Sequence, residues 1–293
     1  MLSDKFIMKD LGKLSYFLGI NFECGDGFIK MNQKQYLSRV LERFGMSNCK
    51  SRHTPSEQKL QIDDSPPTDA TKYREAVGSA VYAMICTRPD ISYVVTMLSQ
   101  YLSKPLEMHW IALKHLFRYL QGTVDYKLCY RKCDEPLMLI GYSDADWASS
   151  VQDRRSITGY CFSLCKTGPP ISWKSRKQPT VALSSCEAEY IALAASVQES
   201  LYLVQLLNGV NMQCKVEPAM IFEDNQGAIA LSKNAVNHQR SKHIDIRYHF
   251  IRTQVNNGAV LIRYCPSADM IADVMTKPPT RAKLDKFKTF LFG

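Results

Sequence analysis

From about residue 136 the chain presents three strand-like runs in succession, LMLIGYSDA, ITGYCFSLC and ISWKSRK, separated by short turns. A long run of helical periodicity follows, SSCEAEYIALAASVQESLYLVQLL, capped at Ser184 or Ser185. The pattern then alternates: AMIFEDN as a strand, QGAIALSKN as a helix, HIDIRYHFIRTQVNN as a helix, AVLIRYC as a strand and ADMIADVMT as a helix. Strands that alternate with helices in this way predict an α/β unit, a mixed sheet with flanking helices. The preceding residues read differently, as a β-hairpin formed by LSYFLGINFE and GFIKMNQ around a CGDG turn, followed by helices. Asn32 is placed to cap the first of these helices, and YREAVGSAVYAMICT, ISYVVTMLSQYLS and MHWIALKHLFRYLQGT supply the others. Lys114 and Arg118 share one face of the last helix, an arrangement that suits a solvated surface or a phosphate backbone.

With 293 residues, 45% of them hydrophobic, the chain can bury a substantial core, and its length suggests about two domains. We divide it into 1–135 and 136–293, the second including a C-terminal tail. No unbroken apolar run approaches the roughly 20 residues of a membrane helix. The N-terminus lacks the apolar core of a signal peptide. These features predict an intracellular protein, cytoplasmic or nuclear, with no membrane partner. Ten cysteines without a CxxC pair predict reduced thiols rather than a disulfide framework. A net charge of +9 is a modest bias toward polyanionic partners.

The acidic residues carry more information. Asp144 ends the first strand of the second part, Glu187 or Glu189 lies in the first turn of the long helix, Asp224 ends the fourth strand and Asp273 lies in a late helix. In an α/β sheet the strand ends and the helix starts converge on one edge. Carboxylates gathered there repel one another and call for a cation, and an all-oxygen donor set selects a hard ion, Mg2+ or Mn2+. Two such ions about 4 Å apart suit phosphodiester hydrolysis. Each carboxylate taken singly is better explained as a turn residue or helix cap; their recurrence in one architecture reverses this and favours the metal reading. Glu187 and Glu189 point about 200° apart on a helix, so only one can face the metals. Glu187 shares the stripe of Tyr190 and Ala194 and sits in the first turn, where the helix dipole favours an anion, so Glu187 is the expected ligand. Strand alternation turns Glu223 to the face opposite Asp224.

The segments GYSDADWA, TGYCFSL, ISWKSRKQPTVALSSCEAEYIAL, EDNQGAIAL, KHIDIRYHFIR and IADVMTKP occur in order over about residues 138–280. Together they resemble the ribonuclease H domain at the end of the Pol polyprotein of copia-type LTR retrotransposons. FIMKDLGKLSYFLGINFE, YLSRVLERFGM, YREAVGSAVYAMICTRPDISYVV and HWIALKHLFRYLQGT resemble the end of the same family's reverse transcriptase, its palm end, thumb and connection. The resemblance implies a ribonuclease H-like fold that cuts the RNA strand of an RNA–DNA hybrid with two Mg2+ or Mn2+ ions. Carried over by position, Asp144, Glu187, Asp224 and Asp273 would be the metal-binding and catalytic carboxylates. The family's Tyr-X-Asp-Asp polymerase element does not occur in these residues, so reverse transcriptase activity is expected to be absent. A non-catalytic nucleic-acid-binding remnant is the alternative reading; an integrase-like strand transferase fits the surrounding motifs less well.

Substrate contacts are expected from WKSRKQ, where Trp173, Lys174, Arg176 and Lys177 would sit in a turn beside the sheet, and from Arg240 and Lys242. His238, His243 and His249 are spaced so that they do not share a helical face, and they are read as capping or packing residues.

Overall fold

A computed structural model describes residues 5–9, 12–57, 64–132, 137–166, 168–210, 218–233 and 242–293, with the backbone alone for 242–246 and 248. The hairpin forms as the sequence predicts. Strands β2 (Ile20–Gly25) and β3 (Phe28–Asn32) pair antiparallel across Asp26 and Gly27, and Gly27 takes the left-handed φ of +74° that a two-residue turn demands. A short β1 (Tyr16–Phe17) and a β4 (Leu128–Arg131) that sequence periodicity did not reveal complete a four-stranded sheet in the order β1-β2-β3-β4. Between β3 and β4 lie α1 (Lys34–Arg43), α2 (Ala70–Cys86), α3 (Ser92–Ser99) and α4 (Glu107–Gly122). The Asn32 side chain accepts from the Lys34 amide at 3.1 Å, and Asp69 caps α2 by accepting from the amides of Thr71 and Lys72. Tyr73, Ala76, Val77 and Ala80 of α2 meet Leu113, Leu116, Phe117 and Leu120 of α4 in one core, each set recurring every three or four residues.

Within that core Arg88 is 1% exposed and paired with Asp90 through Nε and Nη2, at 3.0 and 2.7 Å. Its remaining donors reach Thr123, and the Tyr119 hydroxyl donates to Asp90 at 2.6 Å. The pair is therefore hydrogen-bonded on all sides, the condition under which a buried charge is tolerated.

The second part holds β5 (Ile140–Asp146), β6 (Ile157–Ser163), β7 (Ser172–Lys177), α5 (Ser185–Gly209), β8 (Ala219–Glu223), α6 (Gln226–Lys233), α7 (Lys242–Asn256) and β9 (Val260–Tyr264). The sheet runs β7-β6-β5-β8-β9, antiparallel through β5 and parallel from β5 to β9. Placing β8 parallel to β5 requires a crossover, and α5 is that crossover. This is the ribonuclease H-like mixed sheet with flanking helices. All seven residues of β6 are buried because α5 covers one sheet face while α3 and the C-terminal segment cover the other.

The segment ADMIADVMT differs from the single helix expected. It is a 3-10 turn at Ser267–Asp269 followed by one short helix, α8 (Asp273–Thr276), which Pro278 and Pro279 prevent from extending. Beyond the prolines the expected tail is a helix, α9 (Arg281–Phe292), capped by Thr280. Leu284, Phe287 and Leu291 bury its inner face against Leu128, Cys161 and Met275. The boundary placed at 135/136 lies outside the described residues, and contacts cross between the two parts: Trp173 Nε1 donates to the Met84 carbonyl of α2, and Thr96 Oγ1 of α3 donates to that of Ser175. Helix α5 is long and apolar enough by composition to cross a membrane, contrary to the expectation from unbroken runs, because its alanines and serines dilute the pattern; half of its most apolar stretch is packed inside the fold. The eight described cysteines are all free.

Removing one partner of the buried pair leaves the other charge uncompensated. Asp90→Ala is expected to lower unfolding stability by about 3–5 kcal/mol in urea denaturation, and Arg88→Met/Asp90→Leu together by clearly less than the single change.

Candidate metal and nuclease site

Strands β5 and β8 pair only as far as Tyr142 and Phe222. Two residues further on, Asp144 and Asp224 fall in the same register on the same side of the sheet. Where the ladder has stopped, α5 brings Glu189 in to meet them: one carboxylate oxygen from each of the three lies within 4.8 Å of the others. Asp144 is 2% exposed and accepts a hydrogen bond from Thr276 Oγ1 of α8, while Asp224 accepts from Ser267 Oγ at 2.6 Å.

The glutamate is Glu189, not the expected Glu187. Glu187 turns back to the helix start, where its carboxylate accepts from the Leu183 amide at 2.8 Å and its own amide donates to Ser184 Oγ at 3.1 Å. It is a cap. The buried stripe of α5 runs through Glu189, Leu193, Ser196, Ser200 and Leu203, alternating steps of four and three. Two of these five are serines, whose hydroxyls bond back to the helix carbonyls of Ala192 and Val197 and so enter the core satisfied. A stripe sought among apolar residues alone misses them. The signal that would have separated the glutamates is the Ser184-x-x-Glu187 spacing of a capping box.

Asp273, at the start of α8, is also buried, but its carboxylate faces two ammonium groups. Lys277 Nζ lies 2.5 Å from Oδ1 and 3.8 Å from Asp144 Oδ2, and Lys283 of α9 contacts Oδ2. Asp273 thus borders the three-carboxylate group through lysines that the sequence did not single out. Glu223 is on the face opposite Asp224, as alternation predicts, yet that is the face of α5. It is completely buried, with Oε1 accepting from the Asn225 amide and Oε2 without a hydrogen-bond partner.

The electrostatics follow from this crowding. Burial, then Glu223, Asp144 and Asp224, pushes the Glu189 carboxyl up to about 11. Burial raises Asp144, against the opposing pull of Lys277 and the Thr276 hydroxyl, and it holds Glu223 well above the usual carboxylate range. Lys283 is lowered by its own burial despite Asp144 and Asp224. Glu189 Oε2 has no hydrogen-bond partner although buried. An orphaned buried oxygen among converging carboxylates, with neither sulfur nor imidazole, fits a hard divalent cation held by Asp144, Glu189 and Asp224.

The segment WKSRKQ is a strand rather than a turn, and its residues divide between two faces. Trp173 packs toward α2 through the bond to Met84 and is not a free stacking surface. Lys177, on the same face, is held by Asp153 at 2.9 Å and Gln100 at 3.0 Å. Lys174 and Arg176 lie on the other face and are exposed. Arg240 and the Lys242 side chain lie outside the described residues.

A family model described as reverse transcriptase (RNA-dependent DNA polymerase) matches residues 1–58. Over 98% of its length the chain is 40% identical to the retrovirus-related Pol polyprotein from transposon TNT 1-94 of Nicotiana tabacum, covering 22% of that protein. It is likewise 40% identical, over 98% of its length, to the Pol polyprotein from transposon RE2 of Arabidopsis thaliana, covering 20% of it. The chain therefore spans about a fifth of these relatives. Over 45% of its length it is also 50% identical to secreted RxLR effector protein 161 of Plasmopara viticola, covering 90% of that protein. Among solved structures, LC11-RNase H1 in complex with an RNA/DNA hybrid aligns with a TM-score of 0.35 at 12% identity, over 47% of this chain and 93% of that one. That likeness is too slight to bear on the fold, which rests on the strand order and register.

A carboxyl whose folded pKa lies above its unfolded value stays protonated in the fold while the unfolded chain releases its proton. Its burden on stability is therefore absent in acid and grows as pH rises from about 4 toward about 11. In chelator-treated buffer the thermal midpoint is expected to fall between pH 5 and pH 8, and Glu189→Gln to flatten that fall and raise the midpoint at pH 8. Glu187→Gln should cost about 0.3–1 kcal/mol of helix capping. Parallel melts of the three proteins across pH check both outcomes.

Proposed function

From the premise that this chain belongs to the copia-type retrotransposon Pol polyproteins, we propose that its second part is a metal-dependent ribonuclease H that hydrolyses the RNA strand of an RNA–DNA hybrid. The observation that carries this reading is the convergence of Asp144, Glu189 and Asp224 within 4.8 Å at the end of the β5–β8 ladder. Among the described residues it is the one group of three or more His, Cys, Asp or Glu side chains placed to hold a metal.

A divalent cation held by these three would offset their repulsion and supply Lewis acidity toward a scissile phosphate. The protein's share is positional. Thr276 fixes one oxygen of Asp144, and the Ala145 amide bonds Glu189, so that both carboxylates are preset before substrate arrives. The Ser267 hydroxyl does the same for Asp224. Lys277 and Lys283 add positive charge beside Asp273, where a phosphate's charge would be met. The geometry supports one cation site among the three carboxylates; a second ion ligated by Asp273 would have to displace one of the two lysines.

The test is incubation of the purified chain with a labelled RNA–DNA hybrid and Mg2+, alongside single-stranded RNA and duplex DNA. Cleavage confined to the RNA of the hybrid is expected. Asp144→Asn, Glu189→Gln and Asp224→Asn should each reduce it by at least roughly 10²–10³-fold, while Glu187→Gln keeps most of it. Binding of the hybrid without any cleavage would return the chain to a non-catalytic remnant, and loss confined to Glu187→Gln would make Glu187 the ligand.

A further inference from the structure

Beside α5, on the flank turned away from the carboxylates, lies a cavity of about 390 Å³. Ile191 and Gln198 of α5 form one wall, and Ile191 stands about 200° round the helix from Glu189. Arg176 of β7, Gln178 just after it, and Arg247 and Phe250 of α7 form the others. Among the described residues none that lines it is acidic, and two guanidinium groups border it. Lys177 also borders it, but its ammonium is turned to Asp153 and Gln100 on the opposite strand face. Glu199, the acid next along α5, is taken by the hydroxyls of Tyr160 and Ser172 at 3.1 and 2.7 Å.

The planar fork of arginine matches two oxygens of a phosphate, so two guanidinium groups lining one cavity suit such a group. Behind that lining Gln178 is 2% exposed, and its Nε2 donates to Thr158 Oγ1 at 3.0 Å and to the Ala188 carbonyl at 2.9 Å.

We propose that this cavity seats a phosphodiester group of a bound nucleic-acid strand, its oxygens accepting from the guanidinium groups of Arg176 and Arg247. The assignment rests on the ribonuclease reading for the identity of the strand, and adds to it a contact on the far flank of α5. Of the expected substrate-binding residues it retains Arg176, releases Lys177 and Trp173, and brings in Arg247.

Fluorescence anisotropy with a labelled RNA–DNA hybrid, in an Asp224→Asn background that leaves the strand uncut, tests it over a series of salt concentrations. Arg247→Met is expected to weaken binding about tenfold and to lower the slope of log K against log salt by about one unit. Arg247→Lys, which keeps the charge and loses the fork, should fall between, and Arg176→Met should resemble Arg247→Met. Arg131→Met, at the exposed end of strand β4, serves as the measure of general charge loss and should cost no more than about twofold. Affinity and slope for Arg247→Met equal to those for Arg131→Met, with the parent protein still binding, would overturn the cavity assignment and leave the nuclease reading standing. A parent protein that binds no hybrid at any salt concentration would overturn both. Circular dichroism confirms that each variant is folded, and Arg176→Met decides the case if Arg247→Met is not.

Discussion

Like charges held close together in a place water scarcely reaches are the constraint around which the second part of this fold is arranged. Asp144, Glu189 and Asp224 meet where β5 and β8 cease to pair, with Glu223 buried behind them and Asp273 at their side. Each of the surrounding features answers that crowding. Thr276 and Ser267 donate to two of the carboxylates, Lys277 and Lys283 face the fifth, and burial keeps Glu189 and Glu223 protonated far above their usual range. Repulsion of this kind is tolerated when a cation can relieve it, which makes an apparent defect of the fold a reason to expect metal.

The C-terminal helix ties this site to the rest of the chain. Its first turn carries Lys283 to Asp273, and its last turn sets Phe290 edge-on to Tyr142 of β5 and lays Phe292 against Tyr126, with ring centroids 4.7 Å apart. Phe292 also covers the Arg88 guanidinium. A path of direct contact therefore runs from the buried Arg88–Asp90 pair of the helical part to the acidic edge of the sheet. The helical part in turn occupies one face of β7 through Trp173 and Thr96, leaving only the opposite face of that strand, with Lys174 and Arg176, for anything outside the chain.

How much of this was legible in the sequence depended on periodicity. The hairpin, the helices of the first part and the order of strands and helices after residue 140 all follow from runs whose apolar spacing is unambiguous. Strand β4 escaped because four residues cannot display a period, and α9 because its start lies just past two prolines that read as the end of structure. At the site, Asp144 and Asp224 were legible since each follows an apolar run, although β5 continues to Asp146 and Asp224 lies just past β8. Glu189 was not, because the stripe it belongs to is filled by serines that count as polar in sequence and behave as core in the helix. Glu223 was correctly assigned a face, but the position of α5 above that face is a tertiary fact. Lys277 and Lys283 acquire meaning only when the chain folds back across the sheet.

The most direct test of the central claim is the anomalous difference density of a crystal of this chain equilibrated with Mn2+. A peak is predicted within coordination distance of Asp144, Glu189 and Asp224, with Glu187 still turned to the Leu183 amide. A peak ligated by Glu187, or none at the end of the β5–β8 ladder at saturating Mn2+, would contradict the account.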